Sequence, residues 1–122
     1  MGFLRRLFDG APAKEPEASV APDARHSVAV WVRLFDPAFE NDREQLATFA
    51  LEDRLMAAMD ASGAGTFDTN DLERSAFGMH FAGPDADAMI AVLQPLLEKA
   101  PPGSYLAVRR GPPGTSQERI DL

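Results

Sequence analysis

His26-Ser-Val-Ala-Val-Trp-Val-Arg-Leu-Phe35 puts Val28, Val30, Val32 and Leu34 at alternate positions, with Ala29, Trp31, Arg33 and Phe35 between them. Successive side chains of an extended chain point to opposite sides, so this period of two predicts a strand with one apolar, core-facing side. Asp36-Pro37 ends it. Beyond, Asn41 and Glu44 have the spacing of a capping box. Leu46, Phe49, Leu51, Leu55, Met56 and Met59 then give a helical apolar pattern that Gly63 and Gly65 close. Its first part is irregular, and the regular helix is expected to begin near Thr48. Thr66 to Glu73 predicts a polar strand, and residues 75–82 a second one with Phe77, Met79 and Phe81 on one side and Ala76, Gly78, His80 and Ala82 on the other.

Asp85 is the expected N-cap of a second helix, whose apolar stripe is Met89, Val92, Leu93, Leu96 and Leu97. Pro95 lies inside this stripe and has no N–H to donate, so a kink or an early end is expected there. Residues 105–110 read as a further strand with Leu106 and Val108 inward. The turn Gly111-Pro-Pro-Gly114 is expected to return residues 117–122 as a short edge strand. The order β-α-β-β-α-β, with both helices on one face of an antiparallel sheet, predicts an α+β, ferredoxin-like domain over residues 26–110. Residues 111–122 form its C-terminal turn and edge strand.

The whole chain of 122 residues is 45% apolar and 25% charged, which suits one globular domain. Residues 1–25 read as a flexible tail: residues 10–25 are rich in Ala, Pro and charge and have no apolar period. Within the tail, residues 2–9 would place Phe3, Leu4, Leu7 and Phe8 on one helical face and Arg5 and Arg6 on another. That segment is too short and interrupted for a secretory leader, but it suits weak peripheral contact with a membrane. Cysteine is absent, which removes disulfides and thiolate chemistry and fits a reducing compartment. Acidic residues outnumber basic ones 19 to 12, a net charge of −7, and residues 26–110 carry 13 of the former and 7 of the latter. Such a domain is poorly suited to a grip on polyphosphate through released counterions.

Strand parity assigns the uncovered face. With the valines under the helices, Trp31, Arg33, Phe35, His80, Tyr105 and Arg109 share the opposite side, His80 beside Trp31 and with room over Ala76 and Gly78 for a ring to lie flat. Trp, Tyr and Arg are the residues most enriched at binding hot spots, so this face is the predicted contact surface. The plainer expectation is that the C-terminal tail or a second copy covers Trp31. An RNA-binding sheet would need stacking aromatics where Ala76 and Gly78 stand, so nucleic acid is not an expected partner.

Residues 60–71 resemble an EF-hand calcium loop, with Asp60, Ser62, Thr66, Asp68 and Asp71 as candidate ligands. Ala64 offers no oxygen where one is needed, and Asp71 replaces the usual bidentate Glu, so a glycine turn into an acidic strand is the preferred reading. The two histidines, His26 and His80, have no nucleophile or metal-ligand spacing around them. His26, at a strand start, reads as a solvated residue. No catalytic residue, metal or cofactor is assigned.

The segments LEDRLMAAMDASGAGTFD, FGMHFAG, GPDADAM and YLAVRRGPPG, between Leu51 and Gly114, resemble small bacterial βαββαβ proteins of unassigned function. The layout is also similar to the ribonuclease E inhibitor regulator B family, acidic domains whose members act by binding an enzyme. The first resemblance implies the fold, and the second implies an adaptor or inhibitor but transfers no site residue. Together these readings predict a non-enzymatic, acidic protein-binding module of the bacterial cytoplasm that binds a partner or itself through the open sheet face. A sensor for a flat or anionic small molecule on the same face is the alternative, and a degenerate calcium binder a further one.

Overall fold

A computed structural model of the chain describes residues 25–122. The proposed segment with Phe3, Leu4, Leu7 and Phe8 lies outside the described residues. Five strands, β1 (His26–Arg33), β2 (Thr66–Glu73), β3 (Ala76–Gly83), β4 (Tyr105–Arg109) and β5 (Gln117–Asp121), form one antiparallel sheet in the order β2-β3-β1-β4-β5. Two helices, α1 (Asp42–Ser62) and α2 (Ala86–Leu93), connect β1 to β2 and β3 to β4. The arrangement is α+β and ferredoxin-like, extended at one edge by β5.

Val28, Val30 and Val32 of β1 face the helices and are almost wholly buried, together with Phe77, Met79, Phe81, Leu106 and Val108 from the flanking strands. Leu55 and Met59 of α1 and Met89 and Leu93 of α2 close this core. The helix α1 begins at Asp42, not near Thr48. Asn41 supplies half of the expected capping box, its Oδ1 accepting from the Glu44 N–H at 2.9 Å. The Glu44 carboxylate turns the other way and accepts from the N–H groups of Phe35 (2.6 Å) and Asp36 (2.9 Å), tying the end of β1 to the start of the helix.

The buried side of α1 runs through Thr48, Glu52, Leu55 and Met59. Leu46, expected in the apolar stripe, is 74% exposed and Phe49 43%. Two polar residues on the inner side hid the true stripe. Glu52 is accommodated because it accepts from the Asn70 side-chain amide of β2 at 2.8 Å, which satisfies a polar group that is costly to bury alone. Phe39, in the loop before α1, was not foreseen as core. Held at φ 57°, it is buried against Phe77 with ring centroids 5.5 Å apart.

At the other end of α1, Gly63 adopts φ 71° and its N–H returns to the Met59 carbonyl at 3.1 Å, a left-handed cap that favours glycine. Asp85 caps α2 as expected, accepting from the Asp87 N–H. His26 is not a bystander here: its Nδ1 accepts from the Ala86 N–H at 3.0 Å, joining the start of β1 to the first turn of α2. Pro95 ends the α-helical geometry, and the chain continues as a single 3-10 turn, Gln94–Leu97. Beyond β4, Arg110 bonds Asp87 of α2 at 2.8 Å and also bonds Glu118 of β5. Those hydrogen bonds, led by that to Asp87, hold the guanidinium pKa above its ordinary value. Among the described residues no helix is long and apolar enough to cross a membrane.

The orientation of α1 gives a direct expectation. Replacing the fully buried Leu55 (Leu55→Ala) should cost ~2–5 kcal/mol, whereas Leu46→Ala at the exposed position should cost under ~0.5 kcal/mol. Urea unfolding of the two variants checks this, and equal losses would contradict the packing.

Candidate functional site

The sheet face away from the helices is built from the centre of β1 outward. Trp31 pairs with Gly78 on one side and Tyr105 on the other. The indole lies flat over β3, because a Cβ built on Gly78 would fall 2.7 Å from its ring atoms. Glycine is therefore needed at 78 for close approach rather than for backbone freedom. His80 meets the indole edge-on at 5.7 Å between ring centroids. Its Nε2 lies 2.9 Å from a carboxylate oxygen of Asp71, the residue of β2 that faces the same way. That pair orients the imidazole against Trp31, and the sequence pattern did not reveal it.

On the other side of Trp31 the face carries two arginines, one of them paired with Asp121 of β5. The Arg119 guanidinium of β5 stacks on the Tyr105 ring at 3.8 Å from its centroid, a cation–π contact. Arg109 donates to the carbonyls of Gly111 (2.8 Å) and Arg25 (3.1 Å), which fixes its side chain on the sheet. Between Trp31 and Arg109 the floor is made of small residues, Ser27, Ala29, Ala82 and Ala107, and the depression has a volume of about 490 Å³. Asp68, Asp71 and Glu73 of β2 line one margin; the other carries Arg109 and Arg119, with Asp121 of β5 paired to Arg119 at 2.8 Å.

Of the six residues expected here, Trp31, His80, Tyr105 and Arg109 gather on this face. Arg33 and Phe35 do not join them. β1 ends at Arg33, so Phe35 lies beyond the regular alternation and is 91% exposed, and the Arg33 side chain runs towards Gly103, whose built Cβ would sit 3.1 Å from its Nη1. Both line a second depression between α1 and the chain near Pro101. The tail expected to cover Trp31 extends the sheet instead, as β5 beside β4. Arg119 was missed because its facing depends on the β4–β5 register, set by a turn whose length the sequence leaves open.

The calcium-loop candidates do not converge. Asp60 and Ser62 belong to the end of α1, Thr66 opens β2, Asp68 sits at the register shift between Phe67 and Thr69, and Asp71 holds His80. The segment after them is β3, not the second helix of such a site. Among the described residues no three His, Asp or Glu side chains cluster for metal binding.

A Gly78→Ala variant places a methyl group into the indole and should lift the ring from the sheet. Trp31 is the sole tryptophan, so its emission reports this alone: a red shift and easier acrylamide quenching are expected, and an unchanged spectrum would contradict the stacking. No family model, no curated protein and no solved structure matches this chain, so its site is read from its own residues.

Proposed function

We propose that the chain is a protein-binding module, an adaptor or inhibitor, whose contact surface is the open sheet face centred on Trp31. The observation that carries the reading is the fixed indole: flat on Gly78, flanked by His80 and Tyr105, and bordered by a floor of small residues. Binding hot spots are aromatic anchors already held in place, since a side chain immobilised beforehand loses little entropy on association. Tyr105 under Arg119 and His80 against Asp71 are rigid in the same sense.

Charge gives the partner's outline. A complementary surface is apolar at its middle, basic where it meets β2, and presents an acidic group opposite Arg109, since Arg119 already has Asp121 beside it. Two copies related by a two-fold axis near Trp31 satisfy that description, so self-association belongs to the same reading. The alternative on this face, a flat small molecule lying on Ala29 and Ala107 against Trp31, is favoured by the small-residue floor alone.

The test compares the full chain with Trp31→Ala and, as a control away from the face, Leu46→Ala. Loss of a central aromatic anchor should weaken a captured partner, or a self-association constant from sedimentation equilibrium, by at least ~30-fold. Leu46→Ala should leave both intact. Partner affinity and self-association both unaffected by Trp31→Ala would overturn the reading.

A further inference from the structure

The second depression has a different chemistry, independent of the open face. Its floor is Val32 and the buried Thr48; one wall is the first half of α1, presenting Ala47, Ala50 and Leu51, and the other is Leu96, Ala100 and Pro101. The space exists because the helices are unequal. α1 has 21 residues, whereas α2 stops after 8 at the 3-10 turn containing Pro95, so the N-terminal half of α1 has no full helical neighbour. Small side chains on both walls leave a trough of about 530 Å³.

Its rim is basic. Arg33, Arg43, Arg54 and Lys99 all line it. These are four of the 7 basic residues that residues 26–110 carry against 13 acidic ones. Among the described residues none of the four makes an ion pair; the recorded pairs use His80, Arg110 and Arg119. Among the described residues Glu44 is the one carboxylate in the lining, and its two oxygens accept from the N–H groups of Phe35 and Asp36. An apolar trough ringed by cations in an otherwise acidic domain is complementary to a molecule with an apolar body and an anionic head.

Size decides among such molecules. Arg43 and Arg54 are eleven residues apart, so the trough follows α1 for ~16 Å. A trough of that length and about 530 Å³ falls in the range of small-molecule sites and suits one slender chain with its head group at the rim. The chain's own residues 2–9 bring apolar side chains but also Arg5 and Arg6, which the rim repels.

We propose that the trough between α1 and residues 94–101 binds a single-chain anionic amphiphile, its alkyl chain along Ala47, Leu51 and Leu96 and its head group against the Arg33, Arg43, Arg54 and Lys99 rim. The carboxylate of a fatty acid and the phosphate of a monoalkyl phosphate supply the same chemistry. Titration calorimetry of the full chain, below the micellar concentration of each probe, tests it with dodecanoate, dodecyl phosphate and dodecyltrimethylammonium. One or both anions should bind, whichever is tighter naming the head group, and the cation should bind at least tenfold more weakly. Shortening the bound anion from twelve to ten carbons should weaken it about fourfold per methylene.

Ala47→Trp, which fills the trough from an exposed position, should abolish binding with the thermal melt unchanged, and Arg43→Glu with Arg54→Glu should weaken it at least tenfold. Trp31→Ala should not affect it, which separates this site from the open face. Equal affinity for anion and cation, or binding indifferent to Ala47→Trp, would overturn the proposal. Anion binding that tightens more than tenfold in a full chain carrying Phe3→Ser, Leu4→Ser, Leu7→Ser and Phe8→Ser would also overturn it, because the trough would then belong to the chain's own N-terminus.

Discussion

β1 is paired along both edges, with β3 on one side and β4 on the other, and its alternation fixes what each surface of the domain can be. Val28, Val30 and Val32 fill the space under the helices, so Ala29 and Trp31 must face the other way. A slip of one residue would bring the indole into the core and three valines out of it, and would break two ladders at once. Two further ties pin the strand's ends. His26 accepts from the first turn of α2, and Glu44 of α1 accepts from the two residues that follow Leu34. The open face and the trough beside α1 are therefore both consequences of how one strand is held.

Much of this was legible because period-two patterns are strong where one face is buried. The 26–33, 76–83 and 105–109 strands, the Asp85 cap and the interruption at Pro95 all follow from local chemistry that the tertiary structure does not override. The facing of α1 did not follow, because Thr48 and Glu52 occupy its inner side while Leu46 lies outside. The Glu52 carboxylate is partnered there by Asn70, 18 residues away. Phe39 was hidden for another reason: a single aromatic residue in an irregular loop has no period to betray it.

The site divides along the same line. Trp31, His80, Tyr105 and Arg109 were placed by strand parity alone. Phe35 was misplaced because parity holds only while the strand lasts, and β1 ends at Arg33, whose own side chain bends away towards Gly103. The Asp71–His80 pair and the Arg119–Tyr105 stack depend on registers with edge strands, and the basic rim of the trough joins residues from β1, α1 and the chain after α2. Such groupings need the packed helices before they can be seen. They also show that a net charge misleads: an acidic domain keeps most of its cations in two places, beside Trp31's strand partner β4 and around the trough.

The most direct measurement of this arrangement is the set of proton–proton nuclear Overhauser contacts made by the Trp31 indole in solution. The account predicts contacts to the α-protons of Gly78 and to the ring protons of His80, and none to the methyl groups of Leu55 or Met59. Contacts from the indole to those helix methyls would contradict it, for they would put the other face of β1 in the core.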